Sequence, residues 1–291
     1  EGKAPTSVPS AASCALEEIL RQGREMIQWS SPKPQNGDWH IGRGVAIIMQ
    51  KSGIPDIDQA NCMIKLESDG TFIVHSGGAD IGTGLDTVVT KLAAEVLHCP
   101  PQDVHVISGD TDHALFDKGA YASSGTCFSG NAARLAAENL REKILFHGAQ
   151  ILGEPVADVQ LATPGVVGSL VGTGSYITPD FAFPYGANFA EVAVNTRTGE
   201  IRLDKFYALL DCGTPVNPEL ALGQIYGATL RAIGHSMSEE IIYDAEGHPL
   251  TRDLRSYGAP KIGDIPRDFR AVLVPSDDKV GPFGAKSISE I

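Results

Sequence analysis

No stretch of this 291-residue chain reaches 18 uninterrupted apolar residues, so the sequence contains no transmembrane helix. Its opening, Glu1-Gly2-Lys3-Ala4-Pro5-Thr6, has no charged region followed by an apolar core, and so no secretory leader is read there. Cysteine is sparse and scattered: Cys14, Cys62, Cys99, Cys127 and Cys212 form no CxxC pair. That spacing argues against an iron–sulfur cluster or structural zinc within the chain, and it fits a reducing cytoplasm better than a disulfide scaffold. Cations are also short, 23 Lys+Arg against 36 Asp+Glu, for a net charge of −13. Such a balance excludes nucleic acid and an anionic membrane surface as partners, because both need clustered positive charge. The GxSxG elbow, HExxH and the P-loop are absent, and the eight histidines show no ligand spacing.

What is present is globular: 42% hydrophobic and 20% charged residues. Glycine (32) and proline (18) are in excess, which implies tight turns or a ligand that the backbone must approach closely. Length alone suggests two ordinary domains. The chain lacks an initiator Met and opens in linker-like sequence, as a piece of something longer or a trimmed chain would.

Residues 1–38 read as a tail, a helix over 13–29 capped by Ser13, and a Pro/Gly-rich break. A strand over 44–49 follows, then a hairpin, 63–67 and 71–75, around Asp69-Gly70. A small-residue loop, 76–84, leads into an amphipathic helix carrying Leu85, Val88, Val89, Leu92 and Val96. A strand over 104–107 and a helix over 129–147 complete this part. The second half repeats the order: a hairpin, 189–194 and 200–208, a loop from Asp211 to Pro215, and a helix near 219–237. The expected fold is α+β, with two related hairpin–helix units over 39–167 and 168–291 whose loops meet at one cleft.

Three segments are chemically suggestive. Gly77, Gly78, Gly82 and Gly84 stand between a strand and a helix, where freed backbone N–H groups and a helix N-terminus make either an anion cradle or a tight connection. Gly119-Ala120-Tyr121-Ala122-Ser123-Ser124-Gly125-Thr126 precedes a helix, and its hydroxyls either cap that helix or donate to a ligand. Glu290, among small residues after Gly284, is either a buried general base or a solvated charge. Asp110-Thr111-Asp112-His113 with Asp117 looks like a metal cluster, but it lacks EF-hand spacing and reads better as a polar loop.

Taken in order, these segments resemble the C-terminal molybdenum-cofactor-binding region of the xanthine dehydrogenase/aldehyde oxidase family of molybdenum hydroxylases. The match is carried by Gly77 to Gly84, Gly109-Asp110-Thr111, Tyr121 to Thr126, Gly186-Ala187 with Ala190-Glu191-Val192, Asp211-Cys212-Gly213, Asn217-Pro218 with Gly223-Gln224-Ile225, and Gly284 to Glu290. It covers most of residues 40–291, and seven motifs in family order are specific where any one is weak.

The resemblance implies that Glu290 is the catalytic base, acting on a hydroxide bound to molybdenum. The oxygen is water-derived and enters an N-heterocycle of purine type or an aldehyde. It further implies that Gly82, Thr83 and Gly84, then Ala122, Ser123 and Ser124, then Gln224 and Ser289 lie against molybdopterin, as such or as its cytosine dinucleotide. No metal ligand is assigned within the chain. Iron–sulfur clusters and FAD are expected only in other domains or subunits, beside a preceding molybdenum-binding domain or subunit. The chain alone is therefore expected to be inactive.

Departures from the family pattern are Thr83, where the family often has Gln, and Ser289, where it often has Gly. The join at Val167-Gly168 is abrupt, where a further stretch is usual, and the chain stops one residue past Glu290. A rival reading takes Thr83 and Ser289 as signs of a degenerate, non-catalytic domain that binds cofactor or a subunit.

Overall fold

The computed structural model describes residues 13–33, 36–161, 169–178 and 180–288. Two four-stranded sheets organise them. In chain order the elements are α1 (Leu16–Met26), β1 (Trp39–Met49), β2 (Ala60–Leu66), β3 (Phe72–Ser76), α2 (Leu85–Leu97), β4 (Val104–Ile107) and α3 (Gly125–Leu152). Then come β5 (Val171–Tyr176), β6 (Tyr185–Asn195), β7 (Ile201–Asp211), α4 (Pro218–Met237) and β8 (Asp268–Leu273). The first sheet runs β4-β3-β2-β5 and the second β8-β7-β6-β1.

Both sheets obey one scheme. A hairpin occupies the centre, the strand after the following helix lies parallel to the hairpin's second strand, and an antiparallel strand closes the other side. The chain is thus twice a helix, strand, hairpin, helix and strand. The opening strands are exchanged: β1 pairs with β6 and β5 with β2. The helices follow them, α1 lying on β6 and β7, and α3 on β5 and β2. The α+β class and the pair of related units are as the sequence implies.

Local chemistry explains the elements. Gly70 takes φ +90° at the first hairpin turn, where Asp69 accepts the Thr71 N–H at 3.0 Å. The alternation that follows buries Cys62, Ile64, Leu66, Phe72 and Val74 on one face against Ala132, Ala133, Ala136 and Leu140 of α3. That contact is close because β5 offers glycine. A Cβ on Gly174 would stand 2.2 Å from the Ala132 carbonyl, and one on Gly172 2.4 Å from that of Ala136. Gly174→Ala should push α3 off the sheet and cost about 1–3 kcal/mol, the usual range for overpacking, read as a lower melting temperature.

In the second sheet Glu191 sits beside a β-bulge and is buried with Arg43 at 2.6 Å and Lys205 at 3.0 Å. Arg43 also donates to the carbonyls of Gln28 and Ser31, which ties the end of α1 to the sheet. α3 starts at Gly125, earlier than its strong helix formers suggest, and runs to Leu152. Ser13 does not cap α1: its hydroxyl donates to Asp278, and the Ala15 N–H goes to the Asp211 carboxylate. Among the described residues no helix is long and apolar enough to cross a membrane.

Candidate functional site

The loop between β3 and α2 folds around Asp80. Its carboxylate accepts the N–H groups of Gly82 at 2.9 Å, Gly84 at 3.1 Å and Asp86 at 3.2 Å. Burial pushes the Asp80 carboxyl up, but these donors and the Thr83 N–H outweigh it and hold the group below the ordinary carboxylate range. The loop therefore neutralises its own N–H groups, and the cradle expected for an outside anion is filled by Asp80. What the loop turns outward are the Ile81 and Thr83 side chains, while Gly84 takes φ +81° as the residue before α2.

The turn before α3 is strained. Ala122 and Ser123 have φ of +48° and +53°, left-handed values that cost an L-residue about 1–2 kcal/mol. The hydroxyl of Ser124 donates to the Gly119 carbonyl at 3.1 Å instead of capping α3, and no side chain caps that helix. The first-turn N–H groups of a 28-residue helix are thus left to whatever lies in front of Gly125 and Thr126. α4 starts by contrast with a side-chain cap, Asn217 accepting the Leu220 N–H, and Pro at its first position. One turn on, Gln224 donates from Nε2 to the Gly82 carbonyl at 3.5 Å, joining α4 to the first loop.

The C-terminal segment reaches the same place through buried contacts. Lys286 and Asp211, both 0% exposed, pair at 2.9 Å, and Ser287 shares a 2.6 Å hydrogen bond with Ser52. Ser287 and Ile288 then form one wall of a cleft of about 130 Å³, facing Thr83, Ser123, Thr126 and Gln224. A smaller recess of about 50 Å³ continues past Cys212 and Asn217. Burial pushes the thiols of Cys127 and Cys212 up to about 12, so neither is a thiolate at neutral pH.

Of the candidate residues, Thr83, Ser123, Ser124 and Gln224 line the cleft, and Gly82 and Gly84 shape the loop at its rim. Ala122 turns its carbonyl away, to the Gly53 N–H at 2.7 Å. Ser289, Glu290 and the Val167-Gly168 join lie outside the described residues. The Asp110 group divides: Asp110 bonds His113 at 2.7 Å, whereas Asp117 bonds Ser129 at 2.9 Å. No three such side chains among the described residues could hold a metal ion. A larger cavity, about 550 Å³, opens beyond α2 around Lys91, Glu95 and His98. None of the candidate residues reaches it, and convergent hydroxyls and an amide favour the smaller cleft.

The sequence carries no signal that joins Asp58 to Tyr121 or Lys286 to Asp211. Asp58 stands in Ile54-Pro55-Asp56-Ile57-Asp58 with nothing to set it apart from Asp56, and its bond to Tyr121 crosses 63 positions.

Residues 22–266 match the molybdopterin cofactor-binding domain. The Probable hypoxanthine oxidase XdhD of Escherichia coli (strain K12) is 93% identical over 313 aligned residues, covering 100% of this chain and 33% of that protein. That alignment is longer than this chain, so the relative carries residues with no counterpart here. The xanthine dehydrogenase molybdenum-binding subunit of Escherichia coli O157:H7 is 29% identical, over 96% of this chain and 41% of that protein. The crystal structure of quinoline 2-oxidoreductase from Pseudomonas putida 86 superposes with a TM-score of 0.78 at 25% identity, over 95% of this chain and 39% of that one. The chain thus spans a third to about two-fifths of the length of the relatives it matches.

Proposed function

The chain belongs to the molybdopterin cofactor-binding domain family, and from that premise we propose that its cleft is one wall of the molybdenum site of a hydroxylase. The observation that carries the reading is the uncapped start of α3, which lines one cleft together with the adjacent hydroxyls of Ser123 and Thr126 and the amide of Gln224. These groups fit an anionic pterin: helix N–H groups for its negative charge, and an amide and hydroxyls for its ring heteroatoms. A volume of about 130 Å³ is well below the roughly 300–1,000 Å³ of complete small-molecule sites, which suits a wall whose opposite face comes from elsewhere.

When bound, molybdenum supplies Lewis acidity and an acidified oxygen ligand. The chain's own residues do the rest. Gln224 and Ser123 orient the pterin, and Ile81 and Ile288 exclude water. Glu290, two residues past Ile288, is the base that takes up the proton on its carboxylate. The substrate is an electron-poor N-heterocycle or an aldehyde, and the name of XdhD favours a purine. Electrons leave to iron–sulfur and flavin modules outside this chain, which by itself turns over neither substrate.

Gln224→Leu in the full-length protein tests the wall. Loss of hydrogen bonds to a charged ligand, about 1.5–3 kcal/mol, corresponds to roughly tenfold or more weaker retention. Molybdenum and extractable pterin per protein should fall accordingly while the melting temperature of the stripped protein stays put. Full occupancy in that variant would remove the cleft as the cofactor's seat. Normal molybdenum with no oxidation of any purine, pyridine or aldehyde by the unmodified protein would instead favour the non-catalytic alternative.

A further inference from the structure

Asp58 is a buried carboxylate that no step so far uses. It is 1% exposed and lies in the loop after β1, between Ser52 and β2. One oxygen accepts the Ile54 N–H at 2.7 Å, and the other accepts the Tyr121 hydroxyl. A carboxyl group this deep needs both oxygens bonded, so the pair is a fixed point rather than an incidental surface contact. That bond also raises the Tyr121 phenol above its ordinary pKa, since the proton is held between the two groups.

The same loop grips the next residue. Gly53 donates its N–H to the Ala122 carbonyl at 2.7 Å. Gly53 has φ +73°, and a Cβ there would stand 2.2 Å from the Phe128 ring, so the grip requires glycine. Tyr121 and Ala122 are therefore both clamped from the 53–58 loop, immediately before Ser123 enters the cleft. Two successive non-glycine residues in the left-handed region, Ala122 and Ser123, persist only where their surroundings over-determine them. No other described loop grips both of these residues by side chain and backbone together.

Resting on the reading of the cleft as a molybdopterin wall, we propose that Asp58 is a positioning residue for the cofactor. Through Tyr121, and with Gly53 on Ala122, it holds the 121–123 turn left-handed, so that Ser123 and the start of α3 face the pterin. Asp58 touches no cofactor itself. Its effect passes through backbone conformation, which makes it suppressible: glycine adopts the left-handed region without penalty and makes the clamp dispensable.

The experiment uses the full-length protein and reads molybdenum and extracted pterin per polypeptide. Tyr121→Phe severs the bond from a partly exposed side chain that leaves the core intact, and Asp58→Asn replaces the carboxylate acceptor by a weaker amide that must also satisfy the Ile54 N–H. Both should lower occupancy at least fivefold with an unchanged circular dichroism spectrum. Ala122→Gly, added to either variant, should restore occupancy to within twofold of the parent. A merely structural loss at Asp58 would not be rescued by a glycine at 122.

Gln224→Leu is carried alongside. If it loses cofactor while Tyr121→Phe keeps it, the positioning role is wrong and the wall stands. The role is equally overturned if Ala122→Gly leaves occupancy low. If Gln224→Leu and Tyr121→Phe both keep full occupancy, the wall itself is wrong. Should Asp58→Asn fail to fold, Tyr121→Phe with and without Ala122→Gly decides alone.

Discussion

Glu290→Gln, at the base we propose, is expected to lower the kcat of the full-length protein by about 10²- to 10⁴-fold, the range for losing a general base, with molybdenum and pterin content unchanged. The amide keeps the size of the carboxylate but cannot take up a proton. Ser287 and Ile288 line the cleft with Thr126 and Gln224, and Glu290 follows two residues later in the sequence. For a carboxylate base, kcat/KM falls on the acid side as the group is protonated. That limb should be missing from the residual rate of the variant. Measured molybdenum separates this result from loss of the cofactor, and near-normal turnover would assign the base elsewhere.

Lys286→Met should be the most destabilising single change. Lys286 Nζ sits 2.9 Å from the Asp211 carboxylate, 3.1 Å from the Ser13 carbonyl and over the Tyr185 ring. Asp211 also accepts from Ala15 N–H, Gly213 N–H and the Ser276 hydroxyl. Four parts of the chain meet there: the start of α1, the end of β7, the 276 loop and the C-terminal segment. Removing the ammonium leaves a buried carboxylate without its cation, a loss of about 3–5 kcal/mol. At roughly 2–4 °C per kcal/mol for a region of this size, the melting temperature should fall by about 10 °C. Asp211→Asn added to Lys286→Met should recover part of that, because the charge left behind is gone. A double variant whose loss equals the sum of the losses of Lys286→Met and Asp211→Asn made singly would show that the pair is not coupled.

These contacts mark where reading the sequence stops. Elements whose signals are local are legible in it. Asp69-Gly70 with alternating Ile64, Leu66, Phe72 and Val74 spells a hairpin from neighbouring residues alone, and Leu85 to Val96 spells a helix. The start of α3 is not legible, because Ser124, Gly125 and Thr126 are poor helix formers and packing of Cys127 and Phe128 overrides them. The glycine loop reads as an anion cradle since its N–H groups are implied by the residues themselves. That Asp80 turns back onto them is not implied, because the same acid could equally face water. Of the candidate residues, Thr83, Ser123 and Gln224 line one cleft. The clamps behind them, Asp58 to Tyr121 and Lys286 to Asp211, join residues 63 and 75 positions apart and leave no periodic trace.

The exchange of β1 and β5 sets a timetable on the ribosome. β1 is complete at Met49, but its partner strand among the described residues begins at Tyr185. At about 5–20 residues per second, roughly 7–30 s of synthesis separate the two. Throughout that interval β1 has an unpaired ladder on both sides and carries Val45, Ile47 and Met49, which are exposed on this chain after folding. A nascent chain in that state is a substrate for a holding chaperone. Stalling translation between residues 50 and 185 should therefore trap it on one.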